Sequence, residues 1–225
     1  MLGVFLLGAP VRAQQAAPPQ AIIKMKTGTT QQGIITGVTP RGVDIRLAVG
    51  GSITVPSAQI ERIDMPAPLE LGQVQQAFAA KDYPKALSLL LALTSRYKGL
   101  PTDWAQLATG MLGEVYVALN DVPKAEAAIR EFQQLYPGQG SLQGDVGMAR
   151  IAVSRKDFAS AKAKLEPHTE KALTEKNVPR AQAYAYSQAF YALGQVKESE
   201  GNAVGALEDY LRTVTIFYHD PTAVA

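Results

Sequence analysis

Apolar and polar residues alternate along the first part of the chain, over residues 21–65. The alternation is clearest where Val43 and Ile45 are interleaved with Asp44 and Arg46. A period of two is typical of a strand with one buried face. The pattern predicts five short strands, at residues 21–27, 33–39, 43–49, 52–57 and 60–65.

Glycines separate these predicted strands. Gly50 and Gly51, between the third and fourth strands, predict a two-residue hairpin loop, because such turns need positive φ. Five strands within about 45 residues favour a small, strongly bent barrel over an open sheet. The segments KTG, GIITG, RGVDI and ITVPSAQI resemble the small SH3-like or Sm-like barrels found near the start of some bacterial envelope proteins. The resemblance covers residues 21–66 only.

The period changes to a helical one after Pro66-Ala67-Pro68 and stays helical. Val74 and Phe78 lie four residues apart, and Leu89 and Leu93 repeat that spacing in the next segment. This proline-rich step predicts a domain boundary, with a small β-barrel at residues 21–66 and an all-α part at residues 67–225. The fold class predicted for the chain is therefore α+β multidomain.

One short phrase recurs through the helical part. It stands as KDYPKA at 81–86 and NDVPKA at 120–125, with more distant forms KDFASA at 156–161 and GNAVGA at 201–206. The phrase predicts the bend between two helices, repeated four times. Its second residue, Asp82, Asp121, Asp157 or Asn202, is expected to accept hydrogen bonds from free backbone N–H groups there. Its last residue is an alanine that lets the helices approach closely.

The second unit carries a family resemblance. Leu112-Gly113-x-x-Tyr116, followed by Ala125, Phe132 and Pro137, is similar to the tetratricopeptide (TPR) repeat. The resemblance implies an α-solenoid of about four helix pairs over residues 67–225, whose first helices line a concave groove that holds a protein or peptide. The groove residues that it implies are Gln75, Phe78, Glu114, Val117, Arg150, Ser154, Gln188, Tyr191 and Gln195.

The N-terminus resembles an export signal. A short apolar run over residues 2–9 precedes Val11-Arg12-Ala13, a small-x-small cleavage site. We expect a signal peptide at 1–13 that is cut after Ala13, a flexible spacer at 14–20, and an exported, periplasmic protein. The chain has no cysteine, which excludes disulfides and thiolate chemistry.

The composition offers little for catalysis. His168 and His219 have no second ligand at metal-binding spacing, and no nucleophile or phosphate-binding motif is found. Gly138-Gln139-Gly140 and Gly144 are interpreted as a loop, and the pairs Glu198/Glu200 and Glu208/Asp209 as part of a solvated face. We therefore expect no catalytic, cofactor or metal site, and an exported scaffold or adaptor protein of the cell envelope that is not an enzyme.

Three alternatives stay open. Residues 1–66 hold six basic and three acidic residues, and residues 67–225 hold sixteen and seventeen, so a nucleic-acid-binding role rests on the Sm-like barrel alone. The aromatic group Tyr184, Tyr186, Phe190 and Tyr191 fits either the core between repeats or an interface. At the C-terminus, a helix expected to begin at Pro221 stops after four more residues, so either the chain is a fragment or another chain covers its apolar end.

Overall fold

The computed structural model describes residues 18–138, 140–175, 178 and 180–216. Five antiparallel strands come first, and they confirm the number and the approximate places of the predicted strands. They are β1 (Gln20–Met25), β2 (Thr30–Thr39), β3 (Gly42–Leu47), β4 (Ser52–Val55) and β5 (Ile60–Asp64). The strand order in the sheet is β4-β3-β2-β1-β5. A short 3₁₀ turn at Ser57–Gln59 connects β4 to β5.

The loop between β3 and β4 is longer than predicted. The last residue pair of this ladder joins Arg46 to Ser52, which leaves more than two residues in the connection. Gly50 donates its backbone N–H to the carbonyl of Leu47 (3.1 Å), and both Gly50 and Gly51 have positive φ. The need for glycine was predicted correctly, but the two-residue hairpin was wrong, because Leu47 also donates its N–H to the carbonyl of Gly51 (3.0 Å), which encloses the three residues 48–50.

Eight helices follow in the described residues. They are α1 (Leu69–Ala79), α2 (Tyr83–Tyr97), α3 (Asp103–Ala118), α4 (Val122–Leu135), α5 (Gly140–Ser154), α6 (Phe158–Thr174), α7 (Arg180–Ser199) and α8 (Ala203–Ile216). The change from strand to helix falls between Asp64 and Leu69, at the predicted Pro-Ala-Pro step. The described part of the chain is therefore of the α+β class.

The helices pack in chain order. Each contacts the next one, and the odd-numbered helices also contact each other in the series α1–α3, α3–α5 and α5–α7. We call the pairs α1–α2, α3–α4, α5–α6 and α7–α8 layers one to four. The buried face of the sheet joins layer one and α3 in a continuous hydrophobic core. Trp104 at the start of α3 also donates its indole N–H to the carbonyl of Met65 (3.1 Å).

The recurring hexapeptide forms the same bend in every layer. Its first residue has positive φ each time: 58° at Lys81, 58° at Asn120, 61° at Lys156 and 79° at Gly201. The next residue donates its N–H to the carbonyl five positions back in the first helix, as Asp82 does to Ala77 (2.8 Å), which completes a Schellman motif. The same side chain then caps the second helix, and Asp82 accepts from the N–H of Lys85 (3.3 Å).

The other three bends repeat these contacts. Asp121 accepts from Lys124 N–H (3.4 Å) and Asp157 from Ser160 N–H (3.2 Å). Asn202 accepts from Gly205 N–H (3.0 Å). One short polar side chain therefore closes one helix and opens the next, which confirms the predicted bend and its capping residues.

Small residues set the distance between paired helices, as predicted. The aligned alanines Ala86, Ala125, Ala161 and Ala206 are all buried. A Cβ atom added to Gly113 would lie 2.6 Å from Cγ1 of Ile129, and one added to Gly147 would lie 2.8 Å from its Cδ1. Ile129 of α4 therefore fills the space that two glycines leave on α3 and α5.

Some local predictions were wrong or fall outside the described residues. Gly140 begins α5 and Gly144 lies inside it, rather than in a loop. Packing accounts for Gly144 in the helix, because this glycine admits Gln133 of α4. The expected signal segment at 1–13, His219 and the expected helix at Pro221 lie outside the described residues.

Candidate functional site

The odd-numbered helices carry all nine of the predicted groove residues. Gln75 and Phe78 lie on α1, and the remaining ones are Glu114 and Val117 on α3, Arg150 and Ser154 on α5, and Gln188, Tyr191 and Gln195 on α7. Because α1, α3, α5 and α7 contact one another in series, the nine residues lie on four neighbouring helices. We call these nine positions the odd-helix face.

The centre of the odd-helix face is a contact between α3 and α7. The phenol of Tyr184 donates a hydrogen bond to Oε2 of Glu114 (3.0 Å), although the two residues are 70 positions apart in the chain. Arg150 of α5 lies close enough for its positive charge to act on the same carboxylate. The structure therefore brings two predicted residues, Glu114 and Arg150, together with a third side chain.

Burial dominates the ionisation of Glu114. The residue as a whole is partly exposed, but its carboxylate is shielded from water, and this desolvation raises the pKa of Glu114 above its usual value of 4.5. The charge of Arg150 and the hydrogen bond from Tyr184 act in the opposite direction and only partly offset the effect of burial. A proton or a donor group from another molecule would therefore be favoured at this carboxylate.

Several of the other predicted residues are occupied by contacts within the chain. Phe78 packs edge-on against Tyr83 of α2, with ring centroids 5.7 Å apart. Val117 packs against the core around Ile129. The hydroxyl of Ser154 donates to the carbonyl of Ile151 (2.7 Å). These side chains shape the surface more than they offer free hydrogen-bonding groups.

The remaining members give the odd-helix face its accessible groups. Gln75 is exposed on α1, and Gln188 and Gln195 are half-buried on α7. Tyr191 is exposed and lies against Tyr210 of α8, with ring centroids 5.6 Å apart. Amides and a tyrosine ring are groups that can recognise a polypeptide backbone.

The predicted aromatic group divides between core and surface. Tyr186 and Phe190 are fully buried in the core of layers three and four. Tyr184 and Tyr191 reach the surface, and the sequence analysis did not assign Tyr184 to the odd-helix face. Spacing could have indicated it, because Tyr184 and Tyr191 are seven residues apart and so share one side of α7.

Asp209 differs most clearly from its predicted environment. It was interpreted as part of a solvated face, but it is 0% exposed. Its carboxylate contacts Nζ of Lys197 on α7 (2.6 Å) and the guanidinium of Arg212 on its own helix. Lys197 occupies the position in layer four that Tyr116 has in layer two, and a buried counter-ion explains why a cation is tolerated there.

Beside this ion cluster, Tyr210 is held in an apolar and negatively charged setting. Burial, with the hydrogen bond to Glu198 (2.7 Å) and the charge of that carboxylate, raises the pKa of Tyr210 to about 12. Its ring also takes the place that Ile129 has in layer two, since a Cβ atom added to Gly194 would lie 2.5 Å from its Cε1.

The even-numbered helices line a depression that sequence reasoning did not find. An open depression of about 720 Å³ lies between α2, α4 and β2. Its lining includes Leu91, Ser95, Arg96 and Lys98, and Lys98 forms an ion pair with Glu131 across it (2.7 Å). Its lining comes from β2, α2, α3 and α4, so no single segment indicates it.

The basic residues of the sheet are partly neutralised. Lys24 pairs with Glu61 (2.7 Å) and Arg62 with Asp64 (2.7 Å). These pairs weaken the positive field that nucleic acid would need, and a nucleic-acid-binding role stays a prediction that a salt-dependent oligonucleotide shift would test.

The described residues contain no group of three or more histidine, aspartate or glutamate side chains placed to hold a metal ion. Among their helices, none combines the length and the apolar character that crossing a membrane requires.

Comparison of the chain with models of protein families, with curated proteins and with solved structures finds no match. The resemblance to TPR and small-barrel proteins therefore rests on the residues of this chain alone.

Proposed function

We propose that the chain is a non-enzymatic exported scaffold, which binds another protein or a peptide of the cell envelope along the odd-helix face. In this proposal the four layers form a TPR-like solenoid and the five strands close into a small barrel at its N-terminal end. The observation that carries the proposal is the series of contacts α1–α3, α3–α5 and α5–α7, which brings the four helices that hold these residues next to one another. In the proposal, the groups of the odd-helix face follow one row across these helices.

The chemistry of the row supports a polypeptide ligand. Exposed or half-buried Gln75, Gln188 and Gln195 offer both donors and acceptors, which suits the alternating N–H and C=O groups of a peptide backbone. Between them, the shielded carboxylate of Glu114 favours a donor, such as a lysine side chain or a backbone N–H group. Repeat scaffolds bind extended partners through continuous surfaces of this kind.

Site-specific photo-crosslinking in an envelope fraction tests the proposal. A photoreactive residue replaces Gln75 or Gln195 on the odd-helix face, or Ser95 in the depression on the even-numbered helices as the matched control. We expect one discrete protein adduct from the first two positions and none from Ser95. Equal adducts from all three positions, or an adduct from Ser95 alone, would contradict the proposal.

Charge insertion then tests the contact itself. The double variant Gln75→Arg, Gln195→Arg should abolish the adduct from a photoreactive residue at position 188, because two cations would repel a partner that places a lysine side chain or another donor at Glu114. Its circular dichroism should stay unchanged.

Exported location has a separate test, since the mature protein from its native host should begin at Gln14 after cleavage beyond Ala13. An intact Met1 on that protein would contradict export by this signal.

A further inference from the structure

Helix α8 carries an exposed apolar stripe. Its members are Val204, Leu207, Leu211 and Val214, with 73%, 58%, 49% and 44% of their surface exposed. The spacing of three, four and three residues places them on one side of the helix, opposite to buried Ala206, Asp209 and Thr213. A narrow stripe at this spacing is the pattern by which two helices pack against each other in a coiled coil.

Inner layers show what the same positions do when they are covered. Leu207 follows the aligned alanine by one residue, and its equivalents are Glu126 in α4 and Lys162 in α6. Glu126 pairs with Arg155 after α5 (2.7 Å), and Lys162 pairs with Glu200 after α7 (3.4 Å). This position therefore belongs to the contact between one layer and the next.

A second position of the stripe belongs to the same contact. Val214 is equivalent to Gln133 of α4, which packs where a Cβ atom on Gly144 of α5 would lie, and to buried Thr169 of α6. Layers two and three have polar or charged groups at both positions, and layer one has Leu87, which packs against the core, and buried Thr94, whereas layer four has aliphatic side chains at both. A layer that faces water is expected to be polar there, so the aliphatic side chains indicate that this surface is covered.

We infer that a second copy of this chain covers the stripe, through an antiparallel pairing of the two α8 helices. The order Val, Leu, Leu, Val reads the same in both directions. A two-fold axis at the level of residue 209, on the side of the stripe, therefore places Leu207 opposite Leu211 of the second copy, and Val204 opposite Val214. Each contact across the two-fold axis then joins a leucine to a leucine or a valine to a valine.

The charges beside the stripe permit this pairing. Glu208 is the acidic residue next to it, and Glu208 already pairs with Arg212 on its own helix (3.4 Å). The four side chains expose apolar surface on the order of several hundred Å², which is less than the roughly 800 Å² that each partner of a standard interface buries. The dimer is therefore reversible, and its population depends on protein concentration.

Sedimentation of the full chain over a wide concentration range tests the inference. We expect a monomer–dimer equilibrium whose dissociation constant rises at least about tenfold for Leu207→Glu and for Leu211→Lys. The matched control is Leu173→Glu on α6, which is 52% exposed and lies outside the stripe, and it should leave the equilibrium unchanged. Thermal unfolding of each variant verifies that the fold is kept.

Mixing the two variants gives the sharpest result. In the antiparallel pairing, the introduced carboxylate of one chain faces the introduced ammonium of the other, so an equimolar mixture of Leu207→Glu and Leu211→Lys should recover the dimer. A wild-type chain that is monomeric at every concentration would overturn the inference, as would a dimer that neither variant weakens. Dimerisation only after removal of residues 217–225 would assign the stripe to that segment instead.

Discussion

Layers two and four use the same backbone arrangement for different chemistry. In layer two, Gly113 of α3 admits Ile129 of α4, and in layer four Gly194 of α7 admits the ring of Tyr210. Both bends have a residue with positive φ, Asn120 in one and Gly201 in the other. The positions that set the distance and the turn are thus equivalent in both layers.

The side chains around these equivalent positions differ between layers two and four. Where layer two has Tyr116 with the ammonium of Lys124 over its ring (5.7 Å), layer four has Lys197 bound to buried Asp209. The position of Asp209 is held by Ala128 in α4. The comparison teaches that a glycine and a short bend fix the geometry of a layer, while the surrounding side chains adapt to what that layer contacts.

The largest effect is expected from breaking the ion cluster of layer four, which layer two lacks. Asp209→Asn keeps the side-chain size but leaves the charges of Lys197 and Arg212 without their shared counter-ion. We expect a loss of about 3 kcal/mol in the free energy of unfolding, measured with urea. Glu208→Gln, one residue away and exposed, should change it by less than about 0.5 kcal/mol. Equal effects of the two substitutions would show that Asp209 is solvated.

Adding one methyl group to the glycine at each helix contact sharpens the comparison of layers two and four. Gly113→Ala should cost about 1–3 kcal/mol, because Ile129 is confined between Gly113 and Gly147. Gly194→Ala should cost less, since the ring of Tyr210 lies at the exposed side of the last layer and can rotate away. Gly72→Ala is the control, because nothing lies within 4 Å of an added Cβ and helix propensity predicts a gain of about 0.5–1 kcal/mol. A neutral Gly113→Ala would contradict the close approach.

The shared bend gives smaller effects of opposite sign in different layers. Lys156→Gly should raise the free energy of unfolding by about 0.5–1 kcal/mol, because glycine adopts positive φ without steric cost. Gly201→Ala should lower it by about 1 kcal/mol for the same reason. Changes of the same sign at both positions, in matched thermal and urea unfolding, would show that the bends differ.

The smallest effect compares two carboxylates through pH. Burial raises the pKa of Glu114, so its contribution to stability is complete below about pH 4.5 and is lost as the pH rises through the folded-state pKa. Wild type should therefore lose stability relative to Glu114→Gln as the pH rises through that window. Asp157 gives the opposite sign: hydrogen bonds from Ser160 lower its pKa, so wild type should lose stability relative to Asp157→Asn as the pH falls. If the stability of wild type relative to each variant changed in the same direction with pH for Glu114→Gln and Asp157→Asn, the environment inferred for one of the two carboxylates would be wrong.

Local features of the fold could be predicted from the sequence. A period of two located the strands, and the repeated hexapeptide located the bends and their capping side chains, because both signals depend on residues that are near each other in the chain. The burial of Asp209 could not be predicted, since its partner Lys197 lies on another helix and both residues look like ordinary surface charges. The contact of Glu114 with Tyr184 joins residues that are 70 positions apart, and no local pattern encodes it.

The central claim is that α7 reaches back to α3 through the hydrogen bond from Tyr184 to Glu114. The most direct test is an NMR titration of the Glu114 carboxyl in wild type, in Tyr184→Phe and in Tyr191→Phe as a control. Because the hydroxyl of Tyr184 stabilises the carboxylate, Tyr184→Phe should raise the pKa of Glu114 further, and Tyr191→Phe should leave it unchanged. An identical pKa in wild type and Tyr184→Phe would contradict the claim.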